Sequence, residues 1–344
     1  MNRLIGTVRV NTLVMAHLEK TMRVAQFAIA LAIAFSVVSG AALGQQYPAK
    51  SIRMVVPYPA GGGSDLMARS ISQKLGEKLG KSVIVDNRGG ATGMIGTDAA
   101  AKSPPDGYTL LLGSVAEIAL NVAVYRKMPY NPGRDLAPVG LIATSPLVLA
   151  VHPSLPARNV KEFIALAKKR PGEIGYATAG AGSPHNIAGE WMKLLAKIDI
   201  LHVPYKGGGP QLVDLTGGHV HSGFLALPIV APHLKSGKLY ALAVTSPKRS
   251  PAIPEVPSLD ESGLRGLDVS QWWGILVPTG TSRDIITKLH AEISEIVKLP
   301  DVKALMAEIG AEPIATSPDQ FGNFIRAEIA KFQRIVKEAK ITAD

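Results

Sequence analysis

Residues 53–79 constrain the fold of this chain more than any other segment. They begin with the apolar run Met54-Val55-Val56 and continue through three consecutive glycines. They end in apolar residues at near-helical spacing, which are Leu66, Ile71, Leu75 and Leu79. This pattern predicts a strand, a glycine loop and a helix. Backbone N–H groups in such a loop, at the positive end of a helix, can hold a small anion.

The same arrangement recurs later in the chain. Residues 174–178 read as a strand, residues 179–185 as a second glycine loop, and the following helix carries Ile187, Trp191, Leu194 and Leu195 on one face. Strands alternate with helices and are continuously apolar, which is typical of sheets buried on both faces. We therefore predict an α/β fold of two lobes that face each other across a cleft. Ligands bind at the carboxyl ends of such strands.

Residues 1–44 are predicted to lie outside this fold, as an upstream extension and a secretory signal peptide. Met22-Arg23 begins a short basic segment, residues 27–38 are uncharged and apolar, and residues 39–44 are small. This order indicates cleavage after Gly44 and export to the periplasm, and it disfavours an uncleaved anchor. The translation start stays open between Met1, Met15 and Met22. Lobe 1 is assigned to residues 45–145 and 250–344, and lobe 2 to residues 146–249.

Composition and spacing exclude several classes of site. The chain has no cysteine, so disulfides and thiolate chemistry are excluded. Its net charge of +10 comes from scattered basic residues, which does not predict nucleic-acid binding. The dinucleotide fingerprint fails in both loops, because Leu66 and His185 stand where a third glycine is required. We predict no cofactor.

Three candidate chemistries each have a simpler interpretation. Ser183 and His185 lie two residues apart without a Gly-x-Ser-x-Gly elbow, so an exported hydrolase is the alternative function, and Ser183 is equally well placed to cap a helix. His219 and His221 would share one face of a strand, where zinc binding is less expected than ordinary histidines. Asp65 is expected to be the N-cap of the first helix, although a carboxylate there would repel an anion.

A series of motifs, in order, resembles the tripartite tricarboxylate transporter substrate-binding proteins, also called Bug receptors. The motifs are Tyr47-Pro48, Val55-Val56-Pro57-Tyr58-Pro59-Ala60-Gly61-Gly62 with Asp65, Val85-Asp86-Asn87-Arg88-Gly89-Gly90, Pro105-Asp106-Gly107-Tyr108-Thr109-Leu110, Gly182-Ser183-Pro184-His185, His202-Val203-Pro204-Tyr205-Lys206-Gly207 and Leu242-Ala243-Val244-Thr245-Ser246. The resemblance covers residue 47 to the end. It implies a periplasmic binding protein of the two-lobed, type II Venus-flytrap fold, with a parallel or mixed sheet in each lobe and no catalytic or metal residues.

The resemblance also implies a cleft for a small organic carboxylate, with the first glycine loop at its carboxylate end and the second loop opposite. The candidate ligand-binding residues are Tyr58, Ala60, Gly61, Gly62, Gly63, Asp65, Ser114, Thr178, Gly180, Gly182, Ser183, His185 and Leu225. Two positions depart from the family pattern. His219 replaces a frequent glutamine, and Leu225 replaces a frequent acid, which favours a ligand with an apolar or neutral far end over an amino acid. The expected partners are transporter membrane subunits or a sensor protein, and we expect a monomer.

Overall fold

The computed structural model describes Met22 and residues 47–341, so the predicted signal segment and the alternative starts at Met1 and Met15 lie outside the described residues. The strands are β1 Ile52–Val56, β2 Val83–Asn87, β3 Thr109–Ser114, β4 Leu136–Val151, β5 Gly175–Thr178, β6 Leu201–Pro204, β7 Ser222–Ala226, β8 Tyr240–Val244, β9 Ser270–Pro278 and β10 Glu312–Pro313.

Eleven α-helices occur within the described residues. They are α1 Gly63–Leu79, α2 Met94–Ala101, α3 Asn121–Val124, α4 Pro132–Asp135, α5 Val160–Lys169, α6 Pro184–Ala196, α7 Gly208–Thr216, α8 Leu227–Lys235, α9 Arg283–Ile296, α10 Pro300–Glu308 and α11 Pro318–Ala339. A 3₁₀ turn, Ala91–Gly93, precedes α2, and a π-helical turn, Ala116–Leu120, follows β3. No described helix is both long and apolar enough to cross a bilayer.

The first sheet carries the first glycine loop. Strands β2, β1 and β3 are parallel, β9 runs antiparallel to β3, and β4 runs antiparallel to β9. The sheet is therefore mixed. Strand β2 lies at its edge, which leaves Ile84 57% exposed although its sequence resembles that of a buried strand. Because β1 and β3 are parallel neighbours, their carboxyl ends bring Tyr58 and Ser114 to the same side of the sheet.

The second sheet carries the second glycine loop. Strand β5 is parallel to both β6 and β7, while β7 and β8 are antiparallel to β4. Helix α6 follows the loop and buries Ile187 and Trp191, but Leu194 and Leu195 are 40% and 37% exposed. The four residues share one side of the helix, as their spacing predicts, but the core covers Leu194 and Leu195 only partly because they lie in the last turn.

Strand β4 belongs to both sheets. Its residues up to Pro146 pair with β9, and its residues from Leu147 onward pair with β7 and β8. The buried Thr245 connects three segments at this crossing. Its backbone N–H donates to Leu147 O in β4 at 2.9 Å, and its hydroxyl donates to Val269 O, just before β9, at 2.8 Å. The assignment of residues to lobes stays a prediction.

Candidate ligand site

A cleft of about 350 Å³ lies between loops and turns that follow the strands of the two sheets. One wall is formed by Tyr58, Ser64, Thr92, Ala116, Asn121, Val124, Tyr125 and Gln271. The opposite wall is formed by the second glycine loop, with Ala179, Ala181, Gly182, Ser183 and Pro184. Among these described lining residues, none has a charged side chain, so the polar contacts available to a ligand come from hydroxyls, amides and the backbone.

The first glycine loop ends in helix α1, and its cap differs from the prediction. The N-cap is Gly62, and Asp65 lies three residues further on, inside the first turn. The carboxylate of Asp65 folds back to accept the Gly61 N–H at 2.9 Å and pairs with Arg69 Nε at 3.0 Å. These hydrogen bonds lower the pKa of Asp65 against the opposing effect of its burial. Asp65 therefore stabilises the loop, and its ion pair with Arg69 reduces the expected repulsion of an anion.

Two tryptophans in β9 point to opposite faces, as alternation along a strand predicts. Trp272 is fully buried and donates to Glu328 Oε2 at 3.0 Å. Trp273 lies on the same face as Gln271 and donates from Nε1 to Ser64 Oγ at 2.9 Å. Since Ser64 Oγ accepts this bond, its own O–H stays able to donate to a ligand in the cleft.

Behind Tyr58 lies a buried glutamate, Glu117, whose position and partners the sequence did not predict. The Glu117 carboxylate accepts the Tyr58 O–H at 2.6 Å and the Ser114 hydroxyl at 2.7 Å, and it also accepts the Ser114 backbone N–H. The Tyr58 and Ser114 oxygens are 3.2 Å apart. Glu117 is fully buried, and burial raises its pKa from 4.5 to about 7, although the three donors oppose this shift. Burial and the neighbouring Glu117 likewise raise the pKa of Tyr58.

The π-helical turn after β3 brings Glu117 to this position. Tyr130 holds the turn by donating to Glu117 O at 2.7 Å. The 3₁₀ turn packs closely against Glu117 at Gly93, which has φ +83°. A Cβ added to Gly93 would lie 3.1 Å from Glu117 Cβ. The signal in the sequence was a single acid within the otherwise uncharged residues 109–125. An isolated acid in such a segment needs buried partners.

The second glycine loop is held mainly by its own residues. Ser183 is the N-cap of α6; its Oγ accepts the Asn186 N–H at 3.3 Å and its hydroxyl donates to Gly180 O at 2.6 Å. His185 Nδ1 instead lies 3.0 Å from Gln211 Oε1, and burial lowers the pKa of His185 to about 4. The predicted capping role of Ser183 is confirmed. Ser183 and His185 are each bonded to other groups.

The cleft brings together some of the candidate residues and not others. Tyr58, Gly182 and Ser183 line it, and Ser114 lies directly behind Tyr58. The remaining candidates do not line this cavity. Four are exposed residues of the first loop, Ala60, Gly61, Gly62 and Gly63, and the others are Asp65, Thr178, Gly180, His185 and Leu225. Thr178, for example, contacts His202 Nε2 at 2.8 Å, and Leu225 is buried in a hydrophobic cluster of β7.

The sequence missed the polar lining that comes from outside the two loops. Thr92, Asn121, Tyr125 and Gln271 belong to three separate segments. Asn121 Nδ2 donates to Thr92 O at 3.0 Å, and the Tyr125 and Thr92 hydroxyls are 3.4 Å apart. The sequence around these four residues contains no recognisable binding motif. Only the fold places them opposite the second loop.

The histidine pair does not lie on a strand as predicted, because β7 begins only at Ser222. His221 Nδ1 accepts the Gly175 N–H at 3.0 Å, while His219 faces Asp214. Within the part of the chain that the structure describes, no group of three or more metal-ligating side chains comes together.

Comparison with known proteins gives one family over most of the chain. The sequence model described as "Tripartite tricarboxylate transporter family receptor" matches residues 67–341. The protein BugT of Bordetella pertussis is 40% identical over 311 residues, which cover 90% of this chain and 95% of BugT.

Solved structures agree with this match. R. palustris Rpa4515, solved with adipate, is 37% identical with a TM-score of 0.75 and covers 86% of this chain and 99% of its own. MatC from Rhodopseudomonas palustris, solved with bound malate, is 30% identical with a TM-score of 0.70, and the match covers 84% of this chain and 100% of MatC. The predicted fold class, a two-lobed α/β binding protein with mixed sheets, is confirmed.

Proposed function

The chain belongs to the receptor family of tripartite tricarboxylate transporters, and on this premise we propose that its neutral cleft captures a small organic carboxylate. The observation that carries the proposal is the lining itself. Hydroxyl and amide groups of both walls converge on one small space, and the first turn of α1, next to Ser64, adds the positive end of a helix. The adipate and malate of the two related structures belong to this ligand class.

The absence of a cation among the described lining residues does not prevent carboxylate binding. Hydrogen bonds to a charged group are worth about 1.5–3 kcal/mol each, so three or four of them support roughly micromolar affinity after the cost of association. Ser64 and Gln271 can donate to a ligand without breaking a hydrogen bond to another side chain that the structure describes. Such a site suits a flexible carboxylate with an uncharged remainder better than an amino acid.

The surrounding fold supports a receptor that closes on its ligand. We place the hinge where β4 passes between the sheets and Thr245 joins Leu147, close to the predicted lobe boundaries at residues 145–146 and 249–250. Periplasmic delivery would use the predicted signal peptide with cleavage after Gly44. The protein would act as a monomer that presents its ligand to transporter membrane subunits. A sensor protein in the membrane is the alternative partner.

A titration of the purified mature protein tests the proposed ligand class. We expect adipate, malate or another simple carboxylate to raise the melting temperature and to change the tryptophan fluorescence, because Trp273 contacts Ser64 in the cleft wall. At a ligand concentration of about 100 Kd the gain in stability is about 2.7 kcal/mol, which is several degrees. Matching amides, which lack the charge, serve as controls. An unchanged melting temperature with every mono-, di- and tricarboxylate would refute the proposal.

The substitution Ser183→Ala distinguishes the proposed receptor from the alternative function, an exported hydrolase. We propose that the protein is not an enzyme, since Ser183 is bonded to Gly180 and His185 to Gln211, and a histidine of pKa about 4 is a weak general base near neutral pH. The variant loses its helix cap, so we expect a stability loss of about 1 kcal/mol and a modest loss of affinity. Conversion of any bound carboxylate or ester by the wild type, abolished in Ser183→Ala, would instead establish catalysis.

A further inference from the structure

The buried carboxyl of Glu117 is separated from the cleft only by Tyr58 and its own turn. Tyr58 lines the cleft and bonds Glu117, and Ala116, the preceding residue, lines the cleft as well. Glu117 is fully buried, and among the described residues no cation pairs with it. Burial of an unpaired carboxylate costs free energy, and an apolar side chain at this position would avoid that cost. We therefore expect Glu117 to have a specific role.

The groups around Glu117 are few. The phenols of Tyr58 and Tyr130 face it, and Asp98 of α2 acts on Tyr130. Helix α11 packs against the same turn, but its buried acid, Glu328, is already held by Lys331 and the Trp272 indole. The charge on Glu117 therefore depends mainly on solvation and on its three hydrogen-bond donors.

The direction of the Tyr58 hydrogen bond depends on the proton of Glu117. When Glu117 is ionised, the Tyr58 O–H donates to Oε2 and only the lone pairs of the phenol oxygen remain for the cleft. When Oε2 carries a proton, the carboxyl can donate to the phenol oxygen, and the Tyr58 O–H is released toward the cleft. One proton thus converts an acceptor in the cleft wall into a donor and removes a nearby negative charge.

We propose that Glu117 takes up a proton from solvent when the cleft binds a carboxylate, so that the receptor captures its ligand together with one proton. The ligand stays ionised and accepts the released Tyr58 O–H, while the new proton lies between Glu117 and Tyr58. Glu117 acts here as a positioning residue that works through Tyr58. The inference rests on the proposed carboxylate site.

The pH dependence follows from linkage. Burial places the pKa of Glu117 at about 7 in the free protein, and a bound anion raises it further. Affinity is then highest near about pH 6, where most of Glu117 is already protonated and a simple carboxylate ligand is still ionised. Above about pH 7 the Kd rises by up to tenfold for each pH unit, because protonation must accompany binding.

The decisive experiment is calorimetry of the mature protein with adipate and malate from about pH 6.5 to about pH 9, where ordinary carboxyls stay ionised. In the wild type we expect the Kd to rise with pH, with uptake of about half a proton at pH 7 and close to one at higher pH, read from two buffers of different ionisation enthalpy. In Glu117→Gln the side-chain oxygen can still accept the Ser114 N–H and the amide can donate to Tyr58. That variant should bind with a flat pH profile and no proton uptake.

Glu190→Gln is the matched control. Glu190 also accepts a tyrosine O–H, from Tyr176, but it pairs with Lys193 and does not line the cleft. It should keep the wild-type slope. A flat wild-type profile, or a slope retained in Glu117→Gln, would overturn the inference while the carboxylate site stands. If neither protein bound any carboxylate at any pH, the proposed function itself would fail. Should Glu117→Gln not fold, the absence of proton uptake by the wild type would still overturn the inference.

Discussion

Tyr58→Phe should weaken carboxylate binding by roughly 10- to 100-fold at about pH 6.5, since a hydrogen bond to a charged group is worth about 1.5–3 kcal/mol. The ring is retained, so the cleft keeps its shape and loses one hydroxyl. Glu117 keeps both bonds from Ser114 but loses the donor that favours its ionised form, so its pKa should rise above about 7. The wild-type advantage should shrink with rising pH, because ionised Glu117 already engages the Tyr58 hydroxyl.

The control for this substitution is Tyr125→Phe. Tyr125 lines the same cleft, and its hydroxyl lies 3.4 Å from Thr92 without a bond to Glu117. Titration calorimetry should show a smaller loss of affinity for Tyr125→Phe and an unchanged pH slope. Equal losses and equal slopes in the two variants would mean that Tyr58 has no special part in binding.

The stability of the ligand-free protein should also depend on pH through Glu117. Its folded-state pKa of about 7 lies above the ordinary 4.5, so between these values the folded state binds more protons than the unfolded state. The stabilising contribution of Glu117 is complete below about pH 4.5 and is lost as pH rises through about 7. One pKa unit corresponds to about 1.4 kcal/mol, so the loss is about 3 kcal/mol.

Denaturant unfolding of wild type and Glu117→Gln across this range measures the effect. Other groups titrate as well, for example Asp65, whose lowered pKa acts at more acidic pH, but they contribute equally to both proteins. The variant should therefore gain about 3 kcal/mol relative to the wild type between about pH 4.5 and pH 7 and no more above it. A difference between the two proteins that does not change with pH would show that Glu117 keeps an ordinary pKa.

Local signals predicted the elements well where a single segment decides its own structure. Helices α1 and α6 follow the two glycine loops as predicted, and α1 ends at Gly80, whose left-handed conformation suits a glycine just past a helix. The serine cap of α6 was likewise readable, because capping is settled within four residues. Asp65 was misplaced by three residues, since a glycine loop can supply its own N-cap and leave the acid to brace the turn.

The sequence by itself determined the α/β class, the two glycine loops and the family, because these depend on residues that are neighbours along the chain. Only the tertiary structure decided what lines the cleft. Gln271, Asn121 and Tyr58 come from three distant segments, and the pairing of β3 with both β1 and β9 sets their positions. Glu117 is the clearest case: its pKa and its effect on Tyr58 depend on burial by elements far apart in the chain, and desolvation is a property of that packing.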